Sequence, residues 1–113
     1  MTTIRFKLPT ISKVNFTIEC LAEDIPVEGN CSAIDEETDK ANEEMIYEQL
    51  DSGNEWAWCC VKVTAEYKGI EGADYLGGCS YKNEDDFKKD GYYEDMKKAA
   101  FADLINTLND LRD

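Results

Sequence analysis

Carboxylates are the most abundant chemically active side chains in this sequence. The 113 residues include 25 Asp and Glu against 12 Lys and Arg, which gives a formal net charge of -13 at pH 7. Many of these acids fall in two clusters. The first acidic cluster comprises Asp35, Glu36, Glu37, Asp39, Glu43, Glu44, Glu48 and Asp51. The second acidic cluster comprises Glu84, Asp85, Asp86, Asp90, Glu94 and Asp95.

Both clusters have the spacing of acids along helices, and a helical row of carboxylates presents a repeated negative charge. Duplex DNA carries one negative charge per about 1.7 Å of its axis, so such a row can imitate DNA in a groove that binds nucleic acid. The competing interpretation is a solvated face that keeps the protein soluble. The net charge disfavours nucleic acid and anionic membrane as direct partners and favours a basic protein surface.

Catalytic and metal-binding patterns are missing from the sequence. It has no histidine, and none of its five cysteines, Cys20, Cys31, Cys59, Cys60 and Cys79, has Cys-x-x-Cys spacing. Zinc sites prefer closely spaced Cys and His pairs, and a cysteine nucleophile normally needs a nearby base. We therefore predict no enzymatic activity, no metal and no cofactor. Reduced thiols that pack as small hydrophobic side chains are expected instead.

Two tryptophans, Trp56 and Trp58, begin the central β-like segment. With the alternation of a strand, one face is apolar, and the tryptophans begin the other, more polar face. The residues of the apolar face are Ala57, Cys59, Val61, Val63, Ala65 and Tyr67. Either a helix end or the N-terminal segment covers the indoles, or they form a platform for a partner or a ligand. A nucleotide ring could also stack on these rings and the nearby tyrosines.

The hydrophobic pattern predicts the elements that position these residues. Strands are expected at Ile4–Leu8, Val14–Leu21, Glu55–Tyr67 and Asp74–Tyr81, and helices at Ala33–Leu50 and Tyr92–Leu111, with a short helical turn after Asn83. The apolar positions of the first helix are Ile34, Ala41, Met45, Ile46 and Leu50, and those of the last helix form a stripe of Met96, Ala100, Leu104, Leu108 and Leu111. Gly77-Gly78 indicates a bulge or a close backbone approach within its strand. The order of the strands and helices predicts an α+β fold, with a four-stranded, mostly antiparallel sheet in ββαββα order and two helices packed on one face. The length predicts a single domain over residues 1–113.

Location and oligomeric state follow from weaker signals. No apolar run approaches the roughly 20 residues of a membrane helix, and Met1–Leu8 lacks the continuous apolar core of a signal peptide. We therefore expect a cytoplasmic protein without a membrane partner. An edge strand, the apolar stripe of the last helix, or the Trp56 and Trp58 face could each support a two-fold homodimer.

Four segments carry a resemblance to known sequences: residues 19–30, 55–64, 74–81 and 91–96, with Trp-Ala-Trp-Cys-Cys-Val-Lys-Val at 56–63 the most specific. They resemble small acidic proteins of phages and prophages, a family that brings no established activity and therefore no functional residues. The resemblance covers roughly residues 18–100. It implies a protein made in the cytoplasm of an infected bacterium, a setting in which small acidic proteins often antagonise host CRISPR effectors and restriction enzymes.

Charge and resemblance together predict a phage inhibitor that binds a basic, nucleic-acid-binding surface of a host defence protein. The alternatives are a small-ligand or nucleotide-binding module that uses the sheet aromatics and Gly77-Gly78, and a structural or assembly protein of a phage. The predicted partner-binding residues are Asp35, Glu36, Glu37, Asp39, Glu43, Glu44, Glu48, Glu84, Asp85, Asp86, Trp56 and Trp58.

Overall fold

The computed structural model describes residues 7–30 and 36–112, with only the backbone at positions 36 and 112. Its strands are β1 (Asn15–Leu21), β2 (Cys59–Tyr67) and β3 (Ile70–Cys79), and its helices are α1 (Glu36–Asp51), α2 (Glu84–Lys88) and α3 (Tyr92–Arg112). Short 3-10 helices lie at Ile11–Lys13 and Glu55–Ala57. The three strands form an antiparallel sheet in the order β1-β2-β3, so the α+β class is confirmed.

The fourth strand and the ββαββα order are not confirmed. Of the predicted strand Ile4–Leu8, residues 4–6 lie outside the described residues, while Lys7 and Leu8 belong to no strand. The predicted start of the first helix, residues 33–35, also lies outside them. Across the described residues the order is therefore β-α-β-β-α-α.

Contacts within the chain define two compact units, each built from separate segments. Unit 1 comprises Met1–Glu19, Lys62–Tyr75 and Gly91–Asp113, and unit 2 comprises Cys20–Val61 and Leu76–Asp90. Helix α3 thus belongs to unit 1, whereas α1 and α2 belong to unit 2. The single domain over residues 1–113 stays a prediction.

Unit 1 contains the predicted stripe of the last helix. Met96, Ala100, Leu104 and Leu108 recur every four residues, so they share one face, and all four are buried. Leu111 was expected to continue this stripe, but 45% of it is exposed. Residue spacing shows which residues share one face of a helix. It does not show how far along that face the rest of the protein packs against it.

The β2–β3 turn of unit 1 is shorter than predicted. Lys68 and Gly69 both have positive φ, 52° and 84°, as in the two-residue type I′ turn of a hairpin. Strand β3 therefore begins at Ile70 instead of Asp74. The carboxylate of Glu66 supports the turn, because its Oε1 accepts a hydrogen bond of 2.7 Å from the Gly69 amide.

Gly72 lies within β3 and was expected in the turn. A Cβ built on it would lie 2.6 Å from the carbonyl oxygen of Ala100, and closer still to the backbone nitrogen of Leu104. Real Cβ atoms essentially never approach other atoms so closely. The absence of a side chain at Gly72 is therefore what lets the backbone of α3 approach β3.

The core of unit 2 is built on Trp58, which is 8% exposed. Its indole packs with Val27 and Ile46, with Leu50 of α1 against the same cluster. Its Nε1 donates a hydrogen bond of 2.7 Å to the carbonyl oxygen of Ile25, which satisfies the polar atom of the buried ring. The expectation that a helix covers the tryptophans is thus met at Trp58.

Glu23 joins the segment after β1 to the end of β3. Its Oε1 accepts from the Ile25 amide at 3.0 Å and its Oε2 from the Gly78 amide at 2.5 Å. Gly78 has a φ of 64° inside the strand, the backbone conformation of the first residue in a G1 bulge. A Cβ at Gly77 would lie 2.8 Å from the same carboxylate. The glycine pair thus combines a left-handed φ at Gly78 with a carboxylate close to Gly77, while the predicted bulge stays a prediction.

A second aromatic cluster in unit 2 surrounds Phe87, which is fully buried. Its ring centroid lies 5.9 Å from that of Trp56 and 5.0 Å from that of Tyr81. Asn83 begins α2 as predicted, because its side-chain oxygen accepts a hydrogen bond of 2.8 Å from the Asp86 amide.

Candidate functional site

The negative charge of the chain is concentrated in unit 2. Unit 1 contains nine Asp and Glu against eight Lys and Arg, a net charge of -1. Unit 2 contains sixteen against four, a net charge of -12, and the two values together account for the -13 of the whole chain. A basic partner would therefore be attracted almost entirely by unit 2.

Helix α1 carries an exposed acidic row, defined as Glu37, Glu44, Glu48 and Asp51. All four residues are exposed, and at 100° per residue they lie on the side of the helix opposite the buried Ile46. At 1.5 Å per residue, the row spans about 21 Å of helix. It is the exposed part of the first acidic cluster, and the exposed cation Lys40 interrupts it between Glu37 and Glu44.

This arrangement of charge does not stabilise α1. Glu44 and Glu48 are four residues apart, where like charges repel across one turn. Glu48 and Asp51 lie in the last turn, where the helix dipole favours cations, and that turn has no basic residue. Glu44, Glu48 and Asp51 therefore weaken the C-terminal half of their own helix.

None of the four acids of the row forms a salt bridge with another described residue. The salt bridges among described residues join Lys88 to Glu84 at 3.1 Å on α2, and Lys97 to Glu94 at 2.9 Å on α3. Within the described part of the chain, no salt bridge neutralises the carboxylates of the row.

The other acids of the first cluster differ from the row. Glu43 accepts a hydrogen bond of 2.9 Å from the Gly29 amide. Asp39 is half-buried, and its Oδ1 is buried without a hydrogen-bond partner among the described residues. Asp35 and the side chain of Glu36 lie outside the described part of the chain. The structure therefore distinguishes the exposed acids of the row from two half-buried acids, one of which bonds to a backbone amide.

Most of the second acidic cluster serves local structure. Asp86 accepts a hydrogen bond of 3.1 Å from the Lys82 amide, and Asp90 accepts one of 2.8 Å from the hydroxyl of Tyr81. Glu84 pairs with Lys88. Asp85 is exposed. Glu94 and Asp95 belong to unit 1. The sequence cluster is therefore divided between the two units.

The two tryptophans expose little ring surface. Trp58 is buried, and Trp56 is half-buried against Phe87. Their packing inside unit 2 explains why they begin the polar face of the central segment. A role for either ring in binding a partner stays a prediction, and Trp58 has little surface left for it.

Unit 2 also contains a cleft of about 530 Å³. Its lining combines apolar, amide and charged side chains: Met45, Ile46, Gln49, Asn54, Ala57, Ser80, Tyr81, Lys82 and Asp86. Met45 was expected on the apolar side of the helix, but it is 56% exposed and lines this cleft. Met45 lies about 100° around the helix from the buried Ile46. This angle is the signal in the sequence that could have predicted its exposure.

The described thiols behave as packing groups. Cys20, Cys59, Cys60 and Cys79 are free, and burial raises the pKa of each, that of Cys79 to about 11. At neutral pH they are protonated, and protonated thiols are poor nucleophiles. No group of three or more Cys, Asp or Glu within residues 7–30 and 36–112 could hold a metal ion.

Comparisons with protein-family models, curated proteins and solved structures give no match. The resemblance to phage proteins therefore stays a prediction. No helix within the described part of the chain is long and apolar enough to cross a membrane.

Proposed function

We propose that this protein is a phage-encoded inhibitor that uses unit 2 to bind a basic, nucleic-acid-binding surface of a bacterial defence protein. The observation that carries the proposal is the concentration of twelve of the thirteen net negative charges in unit 2. The resemblance to phage proteins supplies the biological setting. A CRISPR effector or a restriction enzyme is the class of partner whose basic groove such a surface fits.

The exposed acidic row supports imitation of nucleic acid as the mode of binding. Its four carboxylates follow one side of a helix over about 21 Å. A groove that neutralises several phosphates along DNA can neutralise such carboxylates instead. Complementary charge mainly accelerates association, so binding weakens as salt screens the charges.

The first experiment is capture of partners from bacterial lysate at low salt, with duplex DNA added as a competitor. We expect a defence nuclease or a CRISPR subunit to be retained and then displaced by DNA. Capture that DNA leaves unchanged would contradict nucleic-acid imitation, because the two ligands would then occupy different surfaces.

A matched pair of triple variants tests the role of unit 2. The variant Glu37→Lys, Glu44→Lys, Glu48→Lys changes the net charge by six in unit 2. The control Glu19→Lys, Glu71→Lys, Asp110→Lys makes the same change at exposed acids of unit 1. We expect at least a tenfold loss of affinity for the captured partner in the first triple and at most a threefold loss in the control. Equal losses would show that net charge alone matters and would overturn the assignment to unit 2.

The cleft favours a second candidate function, the binding of a small ligand. Its volume of about 530 Å³ lies in the range of small-molecule sites, and Ala57 in its lining directly follows Trp56. A thermal shift with a nucleotide, lost on filling the cleft through Ser80→Trp, would support this function. The negative charge of unit 2 argues against a nucleotide, whose phosphates need cations.

A further inference from the structure

The cleft of unit 2 is lined in part by buried apolar residues and by one flexible, exposed apolar side chain. Ile46 and Ala57 are buried in its lining, while Met45 is 56% exposed at its edge. The flexible thioether of Met45 can adjust to differently shaped apolar groups. These three residues provide a surface for a bulky apolar side chain.

The rest of the lining is suited to the backbone of a peptide. Gln49 and Asn54 are side-chain amides, with both donors and acceptors. The oxygen of Asn54 accepts a hydrogen bond of 3.2 Å from the Trp56 amide, and its Nδ2 donates one of 3.5 Å to Oε1 of Gln49. These bonds fix the orientation of Asn54 and leave the Nε2 of Gln49 as the donor that a peptide can use. Amides beside buried apolar residues are the usual composition of a binding site, in which a few polar groups fix the orientation of the ligand.

The charges around the cleft determine which residues are favoured on either side of the bound apolar side chain. Glu48 lies three residues after Met45 and is therefore its neighbour on the surface of α1. Asp86 lies in the lining itself, held by its hydrogen bond from the Lys82 amide. Lys82 is the single cation of the lining, and unit 2 as a whole has a net charge of -12. An anionic ligand is disfavoured here, and a cationic segment is favoured.

We propose that the cleft binds one bulky apolar side chain of the partner, carried on a segment with Lys or Arg on both sides of it. This inference rests on the proposed function and deepens it. The acids of α1 attract the basic surface, and the cleft anchors it by burying an apolar group. Anchors of this kind dominate affinity because they are removed from water, whereas charges at the rim contribute mainly to the association rate.

The test uses two fluorescent peptides, each with four lysines around a central tryptophan or serine, and measures their affinities by anisotropy. Burial of the indole should make the tryptophan peptide bind at least tenfold more tightly than the serine peptide. Met45→Ser and Ser80→Trp should each remove most of that difference. Leu111→Ser is the control, because it removes a comparably exposed apolar side chain (45%) from unit 1.

The outcomes separate this inference from the proposed function. Equal affinities of the two peptides, both reduced by the triple Glu37→Lys, Glu44→Lys, Glu48→Lys, would overturn the anchor and leave the charge-based function intact. Binding that the triple variant does not weaken would contradict the charge-based function. Displacement of the tryptophan peptide by ATP at equimolar concentration would overturn the choice of occupant and favour the small ligand.

Discussion

Unit 1 and unit 2 contain similar buried elements but differ in what they leave at the surface. In unit 1, α3 packs along β3 at Gly72, and the charges of the unit nearly balance, with Lys97 paired to Glu94. In unit 2, α1 covers Trp58 with one side and exposes a row of acids without salt bridges to described residues on the other.

The same contrast holds for the two long helices. Both bury an apolar side, since Ile46 on α1 and Leu104 on α3 are almost inaccessible to solvent. The last turn of α1, however, contains Glu48 and Asp51 and no basic residue. Packing accounts for the residues on the buried side of α3, but it does not account for the acids on the exposed side of α1. The proposed binding role of unit 2 rests on this contrast, and the following predictions test the packing and the charges on which the contrast depends.

The largest effect is expected at the centre of unit 2. Phe87→Ala removes a fully buried ring and should lower the free energy of unfolding by about 3–5 kcal/mol. Denaturation followed by tryptophan fluorescence reports on unit 2, because both tryptophans belong to it. Far-UV circular dichroism follows the helices of both units. A loss below about 1 kcal/mol would contradict the packing described for Phe87.

The corresponding change in unit 1 is Gly72→Ala. A single added methyl group would overlap the backbone of α3 at Ala100 and Leu104, so we expect a loss of about 3 kcal/mol. Gly91→Ala is the control, since nothing lies within 4 Å of the Cβ position at Gly91 and its φ is ordinary. If both variants unfold at the same denaturant concentration, the close approach of α3 to β3 is wrong.

Glu48→Lys should separate stability from binding. The lysine would stand one turn after Glu44 and near the negative end of the helix dipole, both favourable positions for a cation. We expect α1 to be stabilised by about 0.5 kcal/mol while affinity for the partner falls. Lower stability together with lower affinity would mean that Glu48 serves the fold instead.

The smallest effect concerns pH. The hydrogen bonds from the Ile25 and Gly78 amides lower the pKa of Glu23 below its ordinary value of 4.5. A lowered pKa in the folded state means that this carboxylate stabilises the fold above pH 4.5. The contribution is lost as the pH falls through the folded value. Glu23→Gln should therefore destabilise the protein slightly at pH 7 and show a weaker decrease in stability between pH 5 and 3.

Glu71→Gln is the matched control for the pH experiment, because Glu71 is an exposed carboxylate of β3 for which the structure records no hydrogen bond to a described residue. Denaturant midpoints measured from pH 7 to pH 3 give the comparison. An identical pH dependence in wild type and Glu23→Gln would contradict the role of this carboxylate in joining the two segments.

Elements whose pattern is local could be predicted from the sequence. The alternation at Ala57–Tyr67 placed Cys59, Val61 and Val63 inward, and all three are buried. The spacing of Met96 to Leu108 predicted the buried face of α3, and Asn83 predicted the start of α2. Side-chain periodicity and capping depend on neighbours a few residues away, and a sequence displays these directly.

Which acids face solvent and which form hydrogen bonds with the backbone depends on the tertiary structure. A count of carboxylates cannot distinguish Glu43, bonded to the Gly29 amide, from its exposed neighbour Glu44. The sequence likewise does not show that Gly72 contacts helix α3, or that Met45 and Lys82 line the same cleft. Each of these facts depends on residues distant along the chain, whose approach is fixed only when the whole core packs.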